Sequence, residues 1–397
     1  MAGGGTGPTT VVLAEQLNHT KSEMVYLDFS ASSMKVAQSR AKVRDLQNIV
    51  WVREGIENAH RLNLAKFDFM QCSGVLHHLK SPILGLKVLK DYLQQKGGID
   101  LMVYGTYGRI GVYHVQETLR MLNPQTNDII DELKTANFTL DGLPATNWFK
   151  MQEDKISDHL QGDAGIYDLL LHKRDVSYTV PKLMNWIDSS GLFTVRYTST
   201  DYPPLSGDNE NPKAYGIKHY ERTFGKNNPK LIQLQMQKIG ELFDSNAMMQ
   251  NVFVSLNKDS EANVSDKENI LYVPGDGKCP SGLQRMVRSI RANEKYFSMN
   301  VTEYARGTTF STRWPLNNIS KELLNIFVRS ECRIKLETLF STFKKQTRQN
   351  LTDDFILQNL IPLYSYANNA GMVLLKSMNI PRFPKSNSPN FIINKSR

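Results

Sequence analysis

The chain begins with a glycine-rich turn, and this turn restricts the possible folds more than any other segment. Gly3, Gly5 and Gly7 alternate with other residues and lead directly into a predicted helix over residues 8–18. Glycines at this spacing let the backbone approach a nucleotide-like ligand, and the free N–H groups of the following helix favour a polar or anionic group. The sequence therefore predicts a ligand site within its first residues.

Strand and helix patterns alternate after this turn. Short apolar runs predict strands over residues 24–28, 48–52, 67–72, 99–104, 192–197 and 251–256. Amphipathic patterns predict helices over residues 32–46, 82–93, 178–190 and 229–243, and Gly97-Gly98 is expected to separate the second of these from the next strand. Strands that alternate with helices of this length indicate an α/β fold with a mostly parallel sheet.

The domain organisation is inferred from where the alternation of strands and helices ends. A chain of 397 residues is expected to form about two domains. Residues 1–258 form the predicted α/β domain, in which residues 109–174 are helical and predict an inserted cap, and polar residues 259–268 predict a linker. Residues 269–397 predict a mainly helical accessory domain. Its helices near 281–294, 320–345 (with a break at Glu331) and 352–369, with a strand at 372–375, fit a winged-helix-like domain.

The basic charge is concentrated in this C-terminal third. The net charge of the chain is +9, and residues 266–397 hold 20 Lys and Arg against 10 Asp and Glu, whereas the preceding residues hold 28 against 29. Arg285, Arg288 and Arg291 recur every third residue along one side of a predicted helix. The asymmetry predicts an acidic partner for this segment, and a merely solvated basic face remains the alternative.

Cysteine spacing and hydropathy exclude several classes of protein. Cys72, Cys279 and Cys332 show no paired spacing, which argues against a disulfide framework and against a zinc knuckle. No apolar run reaches the roughly 18 residues that a membrane span requires. We therefore expect no membrane association, and a location in the cytosol or the nucleus.

Two further features add chemistry to the glycine turn. Asp28 follows Gly7 by 21 residues at the end of the second predicted strand, where a carboxylate can accept hydrogen bonds from ribose hydroxyls. The segment Cys-Ser-Gly-Val-Leu-His-His-Leu over residues 72–79 then ends another predicted strand. The turn and the acid alone also fit a nicotinamide-dependent oxidoreductase, so the histidine-containing segment decides between the alternatives.

In this order the features resemble the class I S-adenosylmethionine-dependent methyltransferases. The resemblance covers residues 3–105 by motif and residues 175–257 by topology. It implies a Rossmann-like, doubly wound sheet of the seven-stranded type, here with its first strand largely missing. It also implies S-adenosylmethionine as the cofactor.

The resemblance assigns roles to individual residues. Gly3, Gly5 and Gly7 would approach the methionine part of the cofactor, and Asp28 would hold the ribose. The remaining cofactor contacts would come from Phe29, Ile56, Glu57, Cys72, Ser73, Gly74 and His77. The loop at the end of the fifth strand contributes Tyr104, Tyr107 and Arg109 as predicted acceptor-binding residues. His77 and Tyr104 are candidate catalytic residues, and we expect no metal, because adjacent side chains such as those of His77 and His78 usually point apart.

The expected function is methyl transfer to a macromolecule, with a protein side chain favoured over RNA. The alternatives are a catalytically impaired cofactor-binding or interaction protein, a small-molecule methyltransferase and, less favoured, the nicotinamide enzyme; the sequence gives no oligomeric state. Two departures from the family pattern bear on activity. Met1 stands where the family has an acid, and the missing first strand would leave its neighbours with unpaired backbone groups. We therefore expect this chain to represent a truncated or spliced form of a longer protein.

Overall fold

The computed structural model shows two compact units. Residues 1–260 form the first, and residues 261–303 and 308–397 form the second. The residues that the structure describes are 1–18, 22–122, 128–197, 235, 238–239, 241–242, 247–257, 267–272, 288, 296–303, 308–315, 317–348, 351–360 and 374–376. Most of the predicted helices over 229–243 and 281–294, and with them Arg285 and Arg291, lie outside these residues.

The first unit is built on two groups of strands. Strands β1 (Met24–Asp28) and β2 (Ile49–Arg53) form a parallel pair. Strands β3 (Phe67–Ser73), β4 (Leu93–Tyr104), β5 (Phe193–Tyr197) and β6 (Met249–Ser255) form a second sheet in the order β3-β4-β6-β5. β3 and β4 are parallel, whereas β6 runs antiparallel to both of its neighbours. This unit therefore has the predicted α/β class with one reversed strand.

The first three residues of the chain connect the two groups of strands. The Leu27 N–H donates to the Met1 carbonyl (2.9 Å), the Gly3 N–H donates to the Leu27 carbonyl (2.8 Å), and the Ala2 N–H donates to the Gln71 carbonyl (2.8 Å). Residues 1–3 thus lie between β1 and β3 and satisfy part of the backbone that was expected to be unpaired. The described residues of this unit form six strands and this short segment, so the seven-stranded pattern remains a prediction.

Helices cover the sheet and begin where their sequences supply caps. Helices α1 (Pro8–Leu17) and α2 (Ala31–Val43) pack with β1 around the buried Tyr26. Helix α3 (Pro82–Asp91) starts at Ser81, whose hydroxyl accepts from the Leu84 N–H (3.4 Å), and helix α8 (Val180–Ser189) starts at Thr179 in the same way. Both have Pro in the first turn, which suits a helix start. They share one apolar core with β3, β4 and β6.

The predicted cap between β4 and α8 is mainly helical in its described residues, and the apolar core to which it contributes also includes Met248. Helices α4 (Ile110–Leu122), α5 (Ile129–Gly142), α6 (Trp148–Met151) and α7 (Asp163–Ile166) are followed by a π-helical turn over Tyr167–Leu171. The buried Val112, Leu119 and Phe149 pack together inside it. The helical pattern over residues 109–174 therefore agrees with the observed elements.

One boundary prediction in this unit is wrong. Gly97-Gly98 was expected to end a helix, but α3 ends at Asp91 and β4 already begins at Leu93. Both glycines lie inside β4, beside a register shift between Phe67 and Phe69 of β3. A Cβ atom at Gly97 would lie 2.9 Å from the carbonyl oxygens of Phe67 and Asp68, so glycine permits a close approach of two strands.

The second unit contains both helices and strands in its described part. Helix α9 (Asn318–Arg329) leads through strand β10 (Arg333–Lys335) into helix α10 (Leu336–Thr347), and residues 353–360 are helical. Strand β7 (Ile270–Tyr272) pairs antiparallel with β10 and with β11 (Leu374–Lys376). The predicted break at Glu331 is confirmed, since Glu331 and Cys332 have φ values of 55° and 57° and end α9.

A β-hairpin in this unit was not predicted. Strands β8 (Tyr296–Glu303) and β9 (Thr308–Pro315) pair antiparallel along their whole length. Their sequences are rich in aromatic, Thr and Val residues, which favour strands, but polar residues alternate with them and weaken any apolar signal.

Two further observations concern hydropathy and thiols. Among the described residues, none of the helices combines the length and apolar character needed to cross a bilayer. Cys72 in β3 is a free, buried thiol, and Cys332 after α9 is also buried.

Candidate functional site

The glycine turn lies beside the carboxyl end of β1 and has the left-handed backbone that glycine favours. The φ values of Gly3, Gly5 and Gly7 are 74°, 51° and 80°. A Cβ atom would lie 2.3 Å from a methyl group of Val75 at Gly3 and 2.5 Å from the Ala37 Cβ at Gly7, but would meet nothing within 4 Å at Gly5. Gly3 and Gly7 are therefore packed against the protein, whereas Gly5 borders open space that a ligand can enter.

Asp28 joins this turn to the end of β1. Its carboxylate accepts hydrogen bonds from the backbone N–H of Gly5 (2.7 Å) and of Ser30 (2.8 Å), and its side chain is buried. Each carboxylate oxygen keeps further acceptor capacity, so a vicinal diol can bind both oxygens at once. Phe29 follows with 75% of its surface exposed, which leaves an aromatic face available beside the diol site.

The predicted adenine contacts at residues 56 and 57 have other partners. Ile56 begins a 3₁₀ helix (Ile56–Arg61) and is buried in the apolar core. A Glu57 carboxylate oxygen accepts from the Ser81 N–H (3.1 Å) and so ties this helix to the start of α3. An adenine contact from these two side chains remains a prediction.

The segment after β3 approaches the glycine turn. Burial raises the pKa of the Cys72 thiol to about 12, so this thiol stays protonated and is no nucleophile near neutral pH. Ser73 is exposed at the strand end, and Gly74 turns the chain with a φ of 74°. Val75 then packs near Gly3, so the structure brings this predicted cofactor segment next to the turn.

His77 lies in a short 3₁₀ helix (Leu76–His78) and is fully buried. Neither of its ring nitrogens has a hydrogen-bond partner among the described residues. Burial, and then the neighbouring His78, Arg109 and His172, lower the pKa of His77 to about 2, so the ring is neutral at physiological pH. It can position a ligand, but it is too weakly basic for general-base catalysis near neutral pH.

Two of the three predicted acceptor-binding residues meet at His77. The Tyr104 ring centroid lies 4.0 Å from that of His77, and the Arg109 guanidinium carbon lies 3.6 Å from the Tyr104 centroid. Arg109 is buried, and its Nε and one Nη atom have no partner among the described residues. Burial raises the pKa of Tyr104, so its hydroxyl remains protonated. Tyr107 is placed elsewhere, since its hydroxyl accepts from Lys238.

Three residues around this cluster were missed as site residues. The His172 ring lies 4.0 Å from the His78 ring, and His78 itself stood in the quoted motif without a role. Asp175 accepts a hydrogen bond from Gln116 (2.9 Å) through one oxygen, and its other oxygen is buried without a described partner. His172 and Asp175 close the cap segment, and nothing in their spacing marked them.

Comparisons with known proteins place this site in a family context. Residues 2–99 match the family described as "Methyltransferase domain". An uncharacterized protein of a Synechococcus strain is 30% identical over 203 residues, which are 50% of this chain and 48% of that protein. The chain thus spans about half the length of this curated relative.

Solved structures show the same fold. PKMT2 from Rickettsia typhi aligns over 95% of this chain and 70% of its own, with a TM-score of 0.52 and 15% identity. Its complex with AdoHcy aligns with a TM-score of 0.53 and 14% identity. At such identity the likeness establishes the fold alone. Residues 2–99 thus match a methyltransferase domain, and the shared fold is consistent with the resemblance to the class I S-adenosylmethionine-dependent methyltransferases.

Proposed function

We propose that the protein transfers the methyl group of S-adenosylmethionine to a protein side chain. This proposal rests mainly on Asp28, whose buried carboxylate lies between the glycine turn and the exposed Phe29 ring. This arrangement offers a diol acceptor, an aromatic face and the open space at Gly5 in one place. The R. typhi protein of similar fold binds AdoHcy, which supports the same ligand class here.

Residues at the ends of β3 and β4 would align the acceptor. His77, Tyr104 and Arg109 lie together there, at the edge of the sheet where α/β proteins bind ligands. The sulfonium of the cofactor is already activated, so alignment of the attacking atom supplies much of the acceleration. Neither His77 nor Tyr104 is a base near neutral pH, so we expect these residues to orient the acceptor.

Surface features support a macromolecular acceptor. On the cap, Phe138, Met121 and Leu160 are 82%, 74% and 73% exposed, so apolar side chains are available there for contact with a protein. The basic excess in the sequence of residues 266–397 favours an acidic partner. The aliphatic Met121 and Leu160 favour protein over RNA, because RNA recognition depends on charge and on stacking of bases against aromatic rings. The buried free thiol of Cys72 supports a reducing compartment, the cytosol or the nucleus.

The acceptor class can be tested with a radiolabelled methyl donor. The protein is incubated with methyl-labelled S-adenosylmethionine and a cell extract, and the labelled products are treated separately with protease and with ribonuclease. We expect label that is released by protease and resists ribonuclease. Label sensitive to ribonuclease would favour RNA, and label confined to small molecules would contradict a macromolecular acceptor.

Two controls separate cofactor from acceptor. Asp28→Ala should remove labelling together with cofactor binding, which calorimetry measures directly. Reversal of charge at Arg285, Arg288 and Arg291 should reduce labelling and its salt sensitivity while cofactor affinity stays unchanged. Tight NADH binding without binding of the methyl donor would overturn the cofactor assignment.

A further inference from the structure

We propose that His77, His78 and Asp175 bind a divalent transition-metal ion beside the acceptor site. Each of these side chains offers one ligand atom, and the three atoms all lie within 4.8 Å of one another. Two imidazole nitrogens and one carboxylate oxygen are a ligand set of Zn²⁺ and related ions, and three protein ligands leave a coordination position for water or substrate.

Buried atoms without partners point to a ligand at this place. Both ring nitrogens of His77, the Nε2 of His78 and one carboxylate oxygen of Asp175 are buried and have no hydrogen-bond partner among the described residues. Each such atom costs about 1–3 kcal/mol when it is left unsatisfied. A metal ion would occupy one lone pair from each of the three side chains and remove most of this cost.

Other contacts already orient two of the ligands. The Nδ1 of His78 lies 2.7 Å from the Arg174 carbonyl oxygen. Nδ1 therefore carries the proton, and the lone pair of Nε2 is free for the metal. The second oxygen of Asp175 accepts from the Gln116 amide (2.9 Å), which holds the carboxylate in place. Hydrogen bonds of this kind behind metal ligands fix their orientation and their tautomer.

The geometry requires only a small adjustment. Tetrahedral Zn²⁺ with ligand distances of 2.0–2.2 Å holds its ligand atoms about 3.4 Å apart. Side-chain rotation can close the difference from the observed separations. The 3₁₀ helix of Leu76–His78 also brings adjacent histidines together, with ring centroids 4.1 Å apart, unlike the arrangement expected from a strand or an α-helix.

Charged groups of both signs surround the proposed ligands. Arg109 lies against Tyr104 and would repel a metal ion. The carboxylates of Asp158, Asp168 and Asp175 also act electrostatically on Tyr104, in the sense opposite to that of Arg109. These carboxylates, one of which is a proposed ligand, would offset part of the repulsion between Arg109 and the ion.

Metal content and spectroscopy test the proposal on the full chain. Chelator-treated protein is loaded with Zn²⁺ or Co²⁺ and freed of excess ion, and the bound metal is measured by mass spectrometry. We expect about one equivalent, a Co²⁺ absorption spectrum typical of nitrogen and oxygen ligands, and a rise in Tm with Zn²⁺. Asp175→Asn and His78→Gln should each lower the affinity at least tenfold, whereas His114→Gln, a change at an exposed histidine on the cap, should not.

A second measurement keeps the test decisive if the variants fail to fold. X-ray absorption of the Zn²⁺-loaded wild-type protein should show two imidazole ligands and no sulfur. The proposal is overturned if the wild-type protein retains no metal, if sulfur coordinates the ion, or if folded Asp175→Asn and His78→Gln proteins bind metal as the wild type does. None of these outcomes depends on methyl transfer.

Discussion

Gly5 and Gly7 share a left-handed backbone but have different surroundings. At Gly7 a side chain would collide with Ala37 of α2, whereas at Gly5 it would enter the open space next to Asp28. Gly7 is therefore required by the packing of the fold, whereas Gly5 leaves room for a ligand. The sequence pattern alone does not distinguish these two roles.

Alanine substitutions at these glycines should affect stability and ligand binding to different degrees. Gly7→Ala should lower the free energy of unfolding by about 2–4 kcal/mol, from backbone strain and the clash with Ala37. Gly5→Ala should cost only the backbone term of about 1–2 kcal/mol, but should weaken binding of the demethylated cofactor about tenfold or more. Urea unfolding and calorimetry measure the two quantities. Equal loss of stability in both variants would contradict the different surroundings.

Asp28 should control cofactor affinity. Asp28→Asn replaces one acceptor oxygen by an N–H₂ group, so either the backbone N–H or a ribose hydroxyl loses its partner. Binding of the demethylated cofactor should weaken by about 1–3 kcal/mol in calorimetry. Glu23→Gln, at an exposed residue just before β1, is the matched control and should bind as the wild type does.

At the residue scale, the sequence predicted the position of Asp28 because the spacing of the motif carries that information. The distance from Gly7 to Asp28 places the acid at the glycine turn, and the structure shows the hydrogen bond between Asp28 and Gly5. Asp175 reaches the same region through the folding of the cap, about a hundred residues beyond His77, and no local pattern encodes such a contact.

At the scale of elements, the end of α9 shows how a helix stops without glycine. The Cys332 N–H donates to the Phe327 carbonyl (3.2 Å) and the Glu331 N–H to the Val328 carbonyl (3.1 Å), which is a Schellman motif. Its left-handed position is occupied by Glu331, with a φ of 55°. A non-glycine residue pays a steric cost in this conformation.

Glu331→Gly should therefore stabilise the second unit. Relief of the backbone strain should exceed the entropy that glycine loses on folding, for a net gain of about 0.5–1 kcal/mol. Amide hydrogen exchange in α9 measures the gain. Glu337→Gly, in the first turn of α10, should instead destabilise the unit by about 1 kcal/mol. Faster exchange in Glu331→Gly would show that the motif is not strained.

Sequence patterns predicted elements better than their contacts. Strong apolar periodicity identified α3 and α8, and the break at Glu331 followed from a polar residue between two amphipathic stretches. The prediction that Gly97-Gly98 ends a helix was wrong because glycine is found both at helix ends and where two strands approach closely. Only pairing with β3 decides between these roles, and pairing is non-local.

At the scale of the whole molecule, a charge cluster joins distant segments of the second unit. Asp353 accepts hydrogen bonds from Lys267 and from Lys344 (2.7 Å), so it links the residues before β7, helix α10 and the helical residues 353–360. These hydrogen bonds lower the pKa of Asp353.

Acid should therefore weaken this unit through Asp353. Because the folded pKa is depressed, the contribution is complete above the unfolded value of about 3.9 and is lost as pH falls through the folded value. Asp353→Asn should lower Tm slightly at pH 7, because partly exposed pairs contribute little, and the difference from the wild type should vanish in acid. Asp354→Asn, at the exposed neighbour, should show no such pH-dependent difference.

The buried cysteines allow the opening of each unit to be measured separately by the rate of alkylation. Cys72 lies in the first unit and Cys332 in the second, so an alkylating reagent reaches each only when the structure around it opens. In a Cys279→Ser chain, peptide mass spectrometry can time the two modifications within one sample. The demethylated cofactor should slow alkylation of Cys72 and leave that of Cys332 unchanged, whereas equal slowing would reveal that both halves open as one cooperative body.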